Sequence, residues 1–169
     1  MTDSSLNFTI RPILPTDADS FCRNLNNTHI TDNLRDYLPK PYTKQDAIDY
    51  LNFVKDHHIG FYGIDINGVL IGAIAYIPST DVNRYSSEIG YWLAEEYWGH
   101  GIMPRAVKES MADYLSNSDA VRIYSHIFGS NLKSQKVLEK VGFTRVGVFH
   151  KAVFKNQKFD DEVVFEYLK

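Results

Sequence analysis

The sequence predicts an α/β (α+β) fold, with one mixed sheet of about seven strands covered by about four helices in a single domain over residues 1–169. Three observations carry this expectation. Short apolar segments with strand-like alternation recur along the chain, helical periodicities are interleaved with them, and no repeat, low-complexity tract or linker divides the sequence. A chain of this length can bury well over half of its unfolded surface, so one domain is sufficient.

In chain order, Phe8 and Ile10 alternate with polar neighbours as a first strand, and Pro12 and Pro15 punctuate its end. Thr16 is placed to cap a helix running to about Asn27. A polar segment with Pro39 and Pro41 follows, and Thr43 with Asp46 three residues later marks a second helix in the manner of a capping box, its core face formed by Ile48, Leu51 and Val54. Phe61–Ile66 and the apolar run from Val69 flank Asn67-Gly68, the pair that best tolerates the positive φ angles of a tight hairpin. Ser87–Leu93 is another strand. Beyond Gly101, Val107, Met111, Tyr114 and Leu115 share one face of a third helix. Val121–Phe128 is strand-like; Ser134, Val137, Leu138 and Val141 stack at helical spacing, and Gly142 ends that helix. Arg145–Phe154 and Glu162–Leu168 close the chain as a hairpin across Lys155–Lys158.

Composition narrows the function classes. With 44% hydrophobic and 23% charged residues the chain is neither disordered nor collagenous. Its longest apolar run, Val69–Ile77, is far shorter than the about 20 residues of a membrane-crossing helix, and the N-terminus lacks a basic region followed by an apolar core. A cytoplasmic enzyme with no membrane partner is the simplest expectation. The formal charge of −3 argues against a general nucleic-acid binder, which presents a basic face to phosphates. Cys22 has no partner for an internal disulfide, and six histidines without ligand spacing imply no metal.

The most informative stretch runs from Ser87 to Val107, where a strand enters a glycine-punctuated loop and then a helix. Gly99 and Gly101 let the backbone approach a ligand, and the unpaired N–H groups of a first helical turn, at the positive end of the dipole, can hold a phosphate. A plain tight turn is the competing account. The loop fits neither the Gly-Lys-Ser/Thr phosphate loop nor the G-x-G-x-x-G dinucleotide pattern.

Glu88-Ile89-Gly90-Tyr91-Trp92-Leu93, Tyr97-Trp98-Gly99-His100-Gly101-Ile102-Met103, Asn131-Leu132-Lys133-Ser134 and Leu138-Glu139-Lys140-Val141-Gly142-Phe143 together resemble, in order and spacing, the RimJ/RimL-type branch of the GNAT superfamily of N-acetyltransferases. The resemblance covers nearly the whole chain and is strongest from Glu88 to Phe143. It implies a mostly antiparallel sheet splayed in the middle, between the strand holding Glu88 and the strand ending near Phe128, with acetyl-CoA in the opening. By the same resemblance the backbone of Trp92, Leu93 and Ala94 should hold the pantetheine arm, and the loop of Gly99, His100, Gly101, Ile102, Met103 and Arg105 the pyrophosphate. Asn131 and Ser134 should line the thiol end. The loop departs from the superfamily pattern R/Q-x-x-G-x-G/A, and Pro104 removes one backbone donor.

The implied chemistry is acetyl transfer to an amine, directly in a ternary complex. An ammonium must first lose a proton, because a lysine amine has a pKa of about 10.4 and an α-amine about 7.7–8.0. Glu88 is the expected general base and Ser134 the expected proton donor to the leaving thiolate; a salt-bridged strand glutamate and a serine satisfying a nearby carbonyl are the alternatives. The Trp92 N–H is a candidate oxyanion donor. His100, Arg105, Lys133 and Lys136 are candidate phosphate partners or solvated surface. The acceptor is expected to be a peptide or protein N-terminus, steered between 29–42 and the closing hairpin by Asp32, Asp36, Asp160 and Asp161; a polyamine, an antibiotic, or a non-catalytic CoA-binding role are the alternatives. The sequence leaves open whether the chain is a monomer or a homodimer.

Overall fold

The computed structural model describes residues 6–169, and its organising feature is a seven-stranded sheet in the order β1-β2-β3-β4-β5-β7-β6. The strands are β1 (Thr9–Arg11), β2 (Gly60–Ile66), β3 (Val69–Pro78), β4 (Ser86–Leu93), β5 (Arg122–Phe128), β6 (Thr144–Lys155) and β7 (Lys158–Leu168). Five helices complete it: α1 (Ala18–Leu25), α2 (Thr28–Thr31), α3 (Lys44–Asp56), α4 (Ile102–Ser116) and α5 (Leu132–Val141). Every neighbouring pair is antiparallel except β4 and β5.

Local chemistry sets most of these boundaries. Asn67 and Gly68 have φ of 53° and 82°, the two positive angles a two-residue hairpin requires, and Asp65 Oδ1 accepts the Gly68 N–H at 2.7 Å. Thr43 and Asp46 cap α3 reciprocally: the Thr43 hydroxyl oxygen accepts the Asp46 N–H and the Asp46 carboxylate accepts the Thr43 N–H. Gly142, at φ 99°, terminates α5. The β6–β7 turn is made by Asn156 and Gln157, both at positive φ.

Three expectations need correction. Thr16 does not cap α1; Pro15–Asp17 form a 3-10 turn and the α-helix starts at Ala18, because Asp17 is drawn into a network with Arg11. The inward face of α3 is Ala47, Tyr50 and Val54 rather than Ile48, which is exposed. A further short helix, α2, occupies Thr28–Thr31, where four residues are too few to show a period.

Two apolar layers sandwich the sheet. On one side α4 and α5 pack over Ile74, Tyr76, Ile89, Ile123 and Phe165; on the other α1 and the 27–42 segment pack Phe21, Leu25, Ile30 and Tyr42 against Leu70 and Ala73. Contacts of β4 show which residues face which layer. Ser87 and Tyr91 bond Tyr114 of α4 and Ser134 of α5, whereas Trp92 packs edge-on against Phe21 of α1. Period-two alternation then puts Glu88 and Gly90 on the α1 side with Trp92.

Candidate functional site

β4 and β5 pair over only three residues, Ser86–Glu88 with Arg122–Tyr124, and then separate. Above that junction β4 continues to Leu93 and β5 to Phe128 without a shared ladder. A cavity of about 1510 Å³ fills the opening and extends over the α1 face. This exceeds the about 300–1,000 Å³ usual for one small-molecule site, leaving room for two reactants.

The β4 backbone presents free polar groups to this opening. Antiparallel partners alternate between pairs that exchange both hydrogen bonds and pairs that exchange none. Backbone bonds from Ala94 to Ile71 at 2.7 Å and from Ser79 to Ser86 at 2.9 Å bracket the β3–β4 ladder, so the even-numbered β4 residues point their main chain at β3. The Trp92 N–H is therefore directed to Ala73, not to the opening, which removes it as an oxyanion donor. The odd-numbered residues face the other way. The Ile89 carbonyl accepts from Ser125 Oγ at 3.0 Å and the Leu93 carbonyl from Trp98 Nε1 at 2.8 Å, leaving the Tyr91 N–H and C=O and the Leu93 N–H toward the gap.

At the outer end of the opening lies the glycine loop. Gly99 and Gly101 have φ of 81° and 68°, and a Cβ added to either would meet nothing within 4 Å. Gly101 is the N-cap of α4, with no side chain capping the helix. The N–H groups of Gly101, Ile102 and Met103 consequently remain as donors at the positive helix end, and Pro104 contributes none. Gly99, Gly101, Ile102 and Met103 line the cavity, as do Lys133, Lys136 and Lys140. Lys133 Nζ stands 4.5 Å over the Trp98 ring. This end of the cavity suits an anion.

Glu88, Asn131 and Ser134 also line the cavity. Glu88 makes no side-chain hydrogen bond or ion pair among the described residues, so its carboxylate is uncommitted. Asn131 Oδ1 accepts the Ser134 N–H at 3.1 Å as the cap of α5, and the Ser134 hydroxyl lies 2.7 Å from that of Tyr91. Burial pushes the Tyr91 phenol further above its ordinary value, although its bond to Ser134 acts in the opposite sense, so the hydroxyl keeps its proton.

Other expected residues stand elsewhere. Ala94 is buried, with its N–H on Ile71 and its carbonyl accepting from Tyr97. Arg105 turns to the N-terminal segment, its guanidinium 4.7 Å over Phe8 and bonded to the Leu6 carbonyl. His100 is exposed outside the cavity lining. The four aspartates are engaged structurally: Asp160 accepts from the Ser130 N–H and hydroxyl, Asp161 binds His150 and the Lys151 N–H, Asp32 accepts from Asn156, and Asp36 pairs with Lys155. The 32–36 segment is tied to the closing hairpin, Lys155 Nζ reaching both the Leu34 carbonyl and Asp36 at 2.7 Å.

Sequence reasoning missed Arg35 and His126, and placed Glu162 only at the start of the last strand. Arg35 bonds Glu162 at 2.8 Å and lies 5.4 Å over the Phe128 ring, and His126 approaches the same carboxylate at 3.5 Å. Arg35 and His126 both line the cavity. They come from three distant segments, and only the alternation Tyr124, His126, Phe128 along β5 hinted that they share the Glu88 face.

The Acetyltransferase (GNAT) domain family matches residues 7–144. The chain belongs to the GNAT family. Its sheet, opening and glycine loop are those of a GNAT fold, and the fold is shared with RimL, a ribosomal L7/L12 α-N-protein acetyltransferase solved in complex with coenzyme A (TM-score 0.85, 20% identity, 97% of this chain and 95% of that one). It is shared likewise with the ribosomal-protein-S5-alanine acetyltransferase of Vibrio fischeri (TM-score 0.82, 22% identity, 95% and 92% covered). In sequence the chain is 32% identical over 92 residues to the ribosomal-protein-serine acetyltransferase of Escherichia coli (strain K12), covering 54% of this chain and 51% of that protein. The matched segments span about half to three fifths of the curated relatives' own lengths. Among the described residues no helix is long and apolar enough to cross a membrane, and no group of three or more His, Cys, Asp or Glu is placed to hold a metal.

Proposed function

We propose that this GNAT domain transfers the acetyl group of acetyl-CoA to the N-terminal amine of a peptide or protein, in a ternary complex and without an acetyl-enzyme. The observation that carries the reading is the short β4–β5 junction: it leaves main-chain donors of β4 facing a gap with an anion-binding helix end at one side and an uncommitted carboxylate, Glu88, at the other. The names of the relatives support a protein amine as acceptor.

Acetyl-CoA is a substrate in this scheme. The Gly101, Ile102 and Met103 N–H groups hold its pyrophosphate, with Lys133 and Lys136 reaching further phosphate oxygens, and the Leu93 N–H bonds the pantetheine arm. Glu88 accepts one proton from the acceptor ammonium, directly or through water. The neutral nitrogen attacks the thioester carbon, the C–N bond forms, and the negative charge on the oxygen is met by the Tyr91 N–H. The C–S bond then breaks with its electrons passing to sulfur, and the second nitrogen proton reaches the thiolate by way of the Ser134 hydroxyl. The products are the acetylated amine, coenzyme A and one proton released to solvent.

Release of free thiol from acetyl-CoA in the presence of N-terminal peptides, beside polyamines and aminoglycosides, tests the reading. Turnover of peptides is the expected result. Binding of acetyl-CoA with no amine turned over would mean a coenzyme-binding protein instead.

A further inference from the structure

We propose that the acceptor's reactive amine is flanked by a bulky apolar side chain, and that the aromatic chamber beside Glu88 receives it. This rests on the acetyltransferase reading above and adds a substrate class to it. The chamber is the part of the cavity on the α1 face, walled by Phe21, Leu38, Tyr42, Tyr50, Phe61 and Trp92. Its deepest walls are rigid: Phe21 and Tyr42 are only 2% and 5% exposed, and neighbouring rings brace one another edge to face, Phe21 with Trp92 and Tyr50 with Phe61, each at 5.4 Å.

The β4 strand sets the distance between chemistry and chamber. Glu88 and Trp92 lie four residues apart on one face, which is about 13 Å of strand at about 3.3 Å per residue. Between them is Gly90, where an added Cβ would meet nothing within 4 Å. That missing side chain leaves the floor open, so a nitrogen held at Glu88 can direct its adjacent substituent over Gly90, about 7 Å along the strand, into the near end of the chamber beside Phe61, with Phe21 and Trp92 as its far wall. A residue of any size at position 90 would fill the passage.

Charge disfavours the alternative acceptors. The other carboxylates lining the cavity, Asp46 and Asp49, stand on α3, where Asp46 caps Thr43 and Asp49 accepts from Gln45. The opposite wall carries Arg35, fixed by Glu162. A polyamine or aminoglycoside would bring further ammonium groups to this space and meet a guanidinium and aromatic edges, with only the carboxylates of Asp46 and Asp49, already engaged by Thr43 and Gln45, to receive them. An apolar side chain needs none. The shared chemistry is an amine next to such a side chain, whether carried by a peptide or by a small amine.

Steady-state acetylation of peptides identical except at the first residue tests this, with leucinamide and spermidine as small-amine arms. Leu, Met and Phe are expected to exceed Ser, Ala and Gly in kcat/KM by about tenfold or more, since single-methylene differences in an apolar pocket already give about 10–200-fold. Leucinamide comparable with the Leu peptide would identify a small amine as the source; a much poorer leucinamide would identify a peptide. Leu38→Trp narrows the mouth and should shift preference toward Ala and Ser, and Phe61→Ala should relax it, with acetyl-CoA affinity by calorimetry confirming that each variant is folded. Equal or better turnover of Ser, Ala or spermidine, or an unchanged preference in both variants, overturns the chamber assignment while acetyl transfer stands. No turnover of any amine overturns both.

Discussion

The hydroxyls of Tyr91 and Ser134 lie 2.7 Å apart, and the Tyr91 oxygen is also 3.1 Å from the Ser134 carbonyl oxygen, joining β4 to α5 across the gap. A carbonyl only accepts, so the single Tyr91 proton goes either to that carbonyl, with the serine donating to Tyr91, or to Ser134 Oγ, which frees the serine proton for the leaving sulfur. Ser134→Ala should lower kcat by about 10²-fold or more while acetyl-CoA affinity changes little. Tyr91→Phe should have a smaller kinetic effect and cost about 1 kcal/mol of stability through the lost bond, read by denaturant titration. Wild-type turnover in Ser134→Ala would remove the serine from the mechanism.

Glu88→Gln is expected to reduce turnover by about 10²–10⁴-fold at neutral pH. Rate should recover as pH rises and free amine accumulates, whereas the affinity for acetyl-CoA should stay close to wild type. A pH–rate profile parallel to that of the wild type would show that another group takes the proton.

Gly101→Glu places a carboxylate and a side chain against the helix end proposed to hold phosphate, and should sharply weaken acetyl-CoA binding by calorimetry. Gly101→Ala is the control. It carries only the backbone strain of a non-glycine residue at φ 68°, about 1–2 kcal/mol, without the added charge. Similar affinities in the two variants would place the phosphate elsewhere.

Arg11 Nη1 and Nη2 both bond Asp17 at 2.8 Å, and Arg11 Nε bonds Asp65 at 2.7 Å. Burial acts to raise the Asp17 carboxyl, but the Arg11 and Leu14 N–H bonds and the Arg11 charge outweigh it and leave the group below its ordinary value. Its contribution is therefore present above the unfolded-state value of about 3.9 and is lost as pH falls through the lower folded value. Asp17→Asn should destabilise by about 1–3 kcal/mol at pH 7, with the difference from wild type closing below about pH 4 in chemical denaturation.

Much of the fold was legible because the signals were local. Asn67-Gly68, the Thr43 capping box and Gly142 each specify a boundary within a few residues, and the alternation on β4 and β5 gave both strands. The glycine loop was legible for the same reason. What escaped depended on distant partners. Thr16 lost its expected cap to the Arg11 network, and Asp160 and Asp161, which looked like a steering field, hold the 129–131 loop and the kinked part of β6. The main-chain direction of Trp92 is set by its register with Ala73, a relation between two strands that neither contains alone.

That register has a consequence for tolerance to substitution. The groups at the gap contributed by Tyr91, Leu93, Ile102 and Met103 are amide N–H groups, which every residue except proline possesses. Replacing these side chains alters the packing around the gap, and at Tyr91 the bond to Ser134, but leaves the main-chain donors in place. The donor side of the domain can thus absorb sequence drift, and the side chains of the α1 face are left free to diversify toward different amines.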